Sequence, residues 1–185
     1  MARNLTVAKI KKVDADIAAA AKKSRVRCAL IGGALFKLLG LDGYETPDMD
    51  YASTGDLRPG ILDEVDDPTV FSWNRNGHFL VRGVKVDFIN KLTDGTKRLF
   101  LAAVRERVVL HGVWCAPLAY ALAIRLAAGR EKDVAMLKSV ILERKYARAV
   151  KVAKFLVYKY APNSVGGKLL KKYGHIRPIP CGRGE

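Results

Sequence analysis

The chain is poor in cysteine, poor in acid and without a long apolar run. Its three cysteines, Cys28, Cys115 and Cys181, are odd in number, far apart and form no Cys-x-x-Cys pair, which argues against a disulfide framework and against a zinc knuckle. No apolar run is long enough to span a bilayer and the first residues have no signal-peptide core, so no membrane partner is expected and the expected compartment is a reducing cytoplasm. Acidic residues number 18 against 33 Lys and Arg, leaving a net charge of +15 over 185 residues. A surplus of that size predicts an anionic partner: nucleic acid, a nucleotide or an anionic surface. Half of the residues are hydrophobic, enough for one domain with a real core and a helical appendage.

The chemistry-bearing residues are concentrated in Arg27 to Ser53, RCALIGGALFKLLGLDGYETPDMDYAS, read together with Val84 to Asn90, VKVDFIN. The first stretch opens as an apolar strand (Cys28 to Ile31), reaches Gly32-Gly33, continues as a short helix and ends in a second strand that holds Asp48-Met49-Asp50. Side chains alternate along a strand, so Asp48 and Asp50 share one face while Met49 and Tyr51 face an apolar layer. Two like charges that close either share a proton or hold a cation, and hard oxygen ligands suit Mg²⁺ (or Mn²⁺) better than Zn²⁺. In VKVDFIN the buried face is Val84, Val86 and Phe88, which leaves Asp87 as the candidate third carboxylate, with Lys85 beside it to neutralise a triphosphate. The Gly32-Gly33 pair, at a strand-to-helix junction, offers backbone N–H groups to phosphate.

Gly32, Gly33, the run Thr46-Pro47-Asp48-Met49-Asp50-Tyr51 and the later Asp87 together resemble the signature of the nucleotidyltransferase (polymerase-beta-like) superfamily. A second stretch, Ala116 to Leu137, APLAYALAIRLAAGREKDVAML, looks like the Pro-start helix and following basic segment of the small abortive-infection-type bacterial nucleotidyltransferases, with Arg125 standing where lysine is usual. The resemblance covers about Arg25 to Leu142. It implies an α/β (α+β) nucleotidyltransferase fold, a small mixed sheet flanked by helices, with a basic helical C-terminal region. It implies catalytic, metal-holding Asp48, Asp50 and Asp87. It also implies nucleotide contacts from Gly32, Gly33, Thr46, Lys85, Arg125, Arg130, Lys132 and Asp133. The reaction would be attack of an acceptor hydroxyl on the α-phosphate of a nucleoside triphosphate, with pyrophosphate leaving. The acceptor is open among RNA such as a tRNA end, a protein in the manner of toxin nucleotidyltransferases, which would bring an antitoxin or other protein partner, and a small molecule such as an antibiotic. A non-catalytic nucleic-acid-binding module on the same fold is the remaining alternative.

Elsewhere, Leu5 to Lys23 reads as a helix with an apolar stripe of Val7, Ile10, Val13, Ile17 and Ala21. Thr54 to Pro68 is an acidic loop or short helix. HFLV, Arg82-Gly83 and VKVDFI read as a hairpin. A helix begins near Pro117 and Gly129 interrupts it. From Lys138 onward twelve basic residues face only Glu143 and Glu185, so ten of the fifteen net charges lie there. Arg144, Arg148 and Lys151, at helical i, i+4 and i+7, are candidates for an RNA grip through phosphate contacts. The expected organisation is a catalytic core over 1–115, a helical region over 116–175 and a flexible basic tail over 176–185.

Overall fold

A computed structural model describes residues 4–41, 46–57, 70–73, 78–89, 96–130, 133, 140 and 143–173. Its first helix, α1 (Val7–Lys23), starts at Thr6, whose hydroxyl accepts the Lys9 N–H at 3.1 Å, and ends with Lys22 and Lys23 at the negative end of the helix dipole. Ile10, Val13, Ile17 and Ala21 are buried, but Val7 is exposed. The stripe expected from spacing therefore begins one turn later, because Val7 lies in the first turn where Leu5 takes the buried place instead.

The elements that follow are β1 (Cys28–Ile31), α2 (Gly32–Leu38), β2 (Asp48–Ser53), β3 (Phe71–Trp73), β4 (Phe79–Val81), β5 (Val84–Ile89), α3 (Lys97–Arg105), β6 (Val108–Leu110) and β7 (Val113–Cys115). The seven strands form one sheet in the order β3-β4-β5-β2-β1-β7-β6. β2 runs parallel to β5 and antiparallel to β1, and β1 runs parallel to β7, so the sheet is mixed. The expected hairpin is present: Arg82 and Gly83 both have positive φ, 50° and 74°, as a two-residue turn matched to strand twist requires. A second hairpin, β6–β7, turns on His111 and Gly112 with φ of 53° and 85°. It was not anticipated, because two three-residue strands with the exposed Val108, Val109 and Trp114 show no apolar alternation.

Beneath the sheet, Leu30, Met49, Tyr51 and Val86 are buried with α1 residues, and Tyr51, Phe79 and Phe88 form a chain of ring contacts 5.9 to 6.2 Å between centroids. α1 is tied to the first hairpin turn: Arg82 donates twice to Asp16, at 2.5 and 3.0 Å, and Lys9 Nζ donates to the Arg82 carbonyl at 2.9 Å. Both described cysteines are core thiols, pushed up to about 12 by burial.

Contacts divide the chain into two units, Met1–Lys91 with Phe100–Pro117 and Leu92–Leu99 with Leu118–Glu185. The second is helical: α4 (Leu118–Ala128), a 3₁₀ turn (Arg144–Tyr146), α5 (Ala147–Tyr160) and α6 (Val165–Tyr173). α4 follows Pro117 as expected and stops at Gly129, whose φ of 61° is the left-handed C-terminal conformation. Its buried face is Ala121, Leu122, Ala123 and Ala127. Small residues there allow close approach: a side chain on Gly166 of α6 would overlap the Leu126 carbonyl. Among the described residues no helix is long and apolar enough to cross a membrane. The expected acidic segment over 54–68 falls mostly, and the expected tail over 176–185 wholly, outside the described residues.

One buried charge tests this core. Asp14, on α1, accepts the Tyr51 hydroxyl at 2.8 Å and a hydrogen bond from the backbone N–H of Trp114. Burial pushes its carboxyl up to about 6 against the pull of those two donors. A raised folded-state pKa favours the neutral form, so the associated stability is present below about pH 4 and is lost as pH rises through about 6. Relative to Asp14→Asn, the wild type should lose about 2 kcal/mol between pH 4 and pH 7 in urea titrations. Parallel stability curves would show that Asp14 titrates normally.

Candidate metal and nucleotide site

The parallel pairing of β2 with β5 sets Asp50 opposite Asp87 and Asp48 opposite Lys85. Burial alternates along both strands, with Met49, Tyr51, Val86 and Phe88 inward and the three aspartates half-buried on the other face. One carboxylate oxygen from each of Asp48, Asp50 and Asp87 lies within 4.8 Å of the others. Sequence alternation thus translates directly into a three-carboxylate cluster.

Two neighbours hold the cluster in shape. The Thr46 hydroxyl lies 2.8 Å from Asp48 Oδ1 and 3.1 Å from the Asp48 carbonyl, so this buried threonine orients the first carboxylate. Lys85 Nζ lies 2.8 Å from Asp87 Oδ2. That hydrogen bond, opposed by burial and helped by the charges of Asp87, Asp48 and Asp50, raises the Lys85 pKa, so the ammonium stays charged. Thr46 and Lys85 were expected at a bound nucleotide; their described partners are the carboxylates themselves.

Gly32 and Gly33 lie against this cluster, where β1 passes into α2. Gly32 has φ of 71°, and any Cβ on it would overlap Asp50 Oδ2. A Cβ on Gly33 would stand 2.8 Å from the Thr46 Cβ. Both glycines are therefore required by the approach of β2, apart from any ligand.

The donor set fits a hard divalent cation. Three carboxylates and one ammonium leave a formal charge of −2, the ligand atoms are all oxygen, and among the described residues no other group of three His, Cys, Asp or Glu is so disposed.

The other expected nucleotide contacts form a separate cluster in the helical unit. Asp133 is fully buried and accepts from Arg125 at 2.5 Å and from Arg130 at 2.6 Å. Burial alone would raise its pKa, but the hydrogen bonds from Arg130 and Arg125 outweigh it and hold the carboxyl below its usual range. The Arg130–Asp133 pair, which spacing alone would allow as a surface contact, has a buried carboxylate at its centre. Lys132 lies outside the described residues. Arg144, Arg148 and Lys151 are exposed, but Arg144 belongs to the 3₁₀ turn and only Arg148 and Lys151 to α5. The single helical row expected from spacing is thus broken at Tyr146, where α5 is capped.

No protein-family model and no curated protein matches the chain. A solved structure does: the crystal structure of an antigenic nucleotidyltransferase-like protein from Paracoccidioides brasiliensis is 16% identical, with a TM-score of 0.54 over 92% of this chain and 91% of that one. At that identity the likeness shows the fold, which is mixed α/β and nucleotidyltransferase-like.

A divalent cation bound by the three carboxylates should stabilise the folded state. Mn²⁺ at about a hundred times its dissociation constant should add about 2.7 kcal/mol, seen as a rise in Tm of several degrees. Asp50→Asn should abolish the rise; an equal rise in that variant would mean that the ion binds elsewhere.

Proposed function

We propose that the protein is a metal-dependent nucleotidyltransferase that moves a nucleoside monophosphate from a nucleoside triphosphate to an acceptor hydroxyl on RNA. The observation that supports this most is the carboxylate cluster of Asp48, Asp50 and Asp87, held on adjacent parallel strands of a nucleotidyltransferase-like fold. Bound there, Mg²⁺ or Mn²⁺ would supply charge neutralisation at the triphosphate and alignment of the attacking and leaving oxygens.

The chain's own residues divide the remaining work. Asp48, oriented by Thr46, and Asp50, pressed against Gly32, hold fixed ligand positions. Asp87 completes the set and takes the proton of the acceptor hydroxyl as its oxygen attacks the α-phosphorus. The new phosphorus–oxygen bond forms as the bond to pyrophosphate breaks, so the products are a nucleotidylated acceptor and pyrophosphate. Lys85, kept protonated at Asp87, faces the phosphate charge as it shifts to the leaving group. Arg125 and Arg130 could serve a nucleotide only in competition with buried Asp133, so the reading gives them no part in the chemistry.

RNA is favoured as acceptor by charge. Ten of the fifteen net positive charges lie from Lys138 onward, and Arg144, Arg148 and Lys151 are exposed, as phosphate contacts without sequence readout require. A toxin-like protein acceptor and a small-molecule acceptor have no comparable feature among the described residues.

Incubation of the protein with each α-³²P-labelled nucleoside triphosphate, Mg²⁺, total RNA and total protein, resolved on a denaturing gel, tests the reading. Label should enter a discrete RNA band and fall by more than about a hundredfold in Asp48→Asn, since even outer-shell changes at a metal site cost ten- to a hundredfold. Replacing Arg144, Arg148 and Lys151 together by Gln should reduce RNA labelling and flatten its salt dependence. Label confined to a protein band would overturn the RNA acceptor, and label that persists in Asp48→Asn would overturn the site.

A further inference from the structure

A cavity rimmed by cations lies at the far end of β1 from the carboxylates. β1 runs from Cys28 to Ile31, and Ile31 pairs with Asp50, so Cys28 stands about 10 Å along the strand from the cluster. Around Cys28, the end of α1, the turn into β1 and the β6–β7 hairpin enclose about 490 Å³, within the size range of small-ligand pockets. Its lining includes Lys22, Arg25, Arg27 and Arg107, one carboxylate, Asp14, and Trp114.

Two observations give this cavity a ligand chemistry. The first is charge: four cations face one carboxylate, and that carboxylate is occupied by the Tyr51 hydroxyl and the backbone N–H of Trp114. Among the described residues none of the four cations has an ion-pair partner. The second is Arg107. Its guanidinium lies 4.7 Å from the centre of the Trp114 ring, yet its Nε is buried without a hydrogen-bond partner. A buried donor left without an acceptor is rare and costs free energy, so it marks a position where an acceptor atom belongs. Arg25 itself, with φ of 52°, is the left-handed residue that ends α1, the Val26 N–H closing on the Ala21 carbonyl at 3.0 Å, and this cap sets Arg25 at the rim.

We infer that this cavity is a binding site for a small phosphorylated ligand of nucleotide size, with its phosphate received by Arg107 and the rim cations Arg25, Arg27 and Lys22. A guanidinium fork anchored on an aromatic face is suited to phosphate oxygens, and a half-enclosed volume takes a small molecule rather than a polymer backbone. The site shares no residue with the carboxylate cluster, so it stands or falls apart from the proposed transfer reaction.

Trp114 reports on the site directly. In a Trp73→Phe background with EDTA present, ADP should quench its fluorescence saturably, and inorganic phosphate should displace ADP. Arg107→Gln should weaken ADP binding by about tenfold or more, Arg27→Gln should weaken it several-fold, and Asp50→Asn should leave it unchanged. Thermal melts check that each variant is folded, and if Arg107→Gln is not, the exposed pair Arg25→Gln with Arg27→Gln decides. Quenching that survives these changes, that disappears in Asp50→Asn, or that occurs only with an RNA oligonucleotide would overturn the inference, as would the absence of saturable binding at millimolar ADP.

Discussion

Three carboxylates brought within 4.8 Å of one another are the constraint on which the first unit depends. At that separation each pair repels by roughly 1 to 3 kcal/mol, according to how far solvent screens it. Lys85 offsets part of this through Asp87, and a cation shared by the three carboxylates would offset more. The parallel register sets Asp50 directly across from Asp87, an arrangement that works against stability in the absence of a cation. The arrangement also restricts its neighbours. Gly32 and Gly33 have no room for side chains, and the Thr46 hydroxyl is committed to Asp48.

Rigidity beneath the cluster comes from the opposite faces of the same strands. Met49, Tyr51, Val86 and Phe88 are buried, and Tyr51 reaches through the core to Asp14 on α1. α1 is in turn bonded to the turn before β5 by Asp16, Lys9 and Arg82. The chain that carries Asp87 is thereby fixed at its entry and by the apolar face of β5. Displacements there would open the cluster, so packing and electrostatics bear on the same few ångströms.

Much of this was legible because it is local. Alternation in Asp48-Met49-Asp50-Tyr51 and in VKVDFI specifies which side chains share a face, Arg82-Gly83 specifies a turn, and Pro117 and Gly129 bracket a helix. What could not be read depends on partners distant in the chain. Asp14 looks like one more solvated charge on α1 until Tyr51, 37 residues away, is placed against it. The i, i+3 spacing allows an Arg130–Asp133 pair, but not that its carboxylate is fully buried and shared with Arg125, which depends on how the helical unit packs. Trp114 lies on, and Arg107 just before, a hairpin whose short, half-exposed strands carry no periodic signal.

The two charge features of the molecule are of opposite sign and different origin. The carboxylate cluster is built by strand register, whereas the basic surplus after Lys138 is a matter of composition. Only the first presents a ligand set of defined geometry, and the account rests on it. Anomalous diffraction from crystals soaked in Mn²⁺ addresses it most directly. The account predicts a Mn²⁺ peak coordinated by oxygens of Asp48, Asp50 and Asp87 together. A peak elsewhere, with these three carboxylates holding no ion, would contradict it.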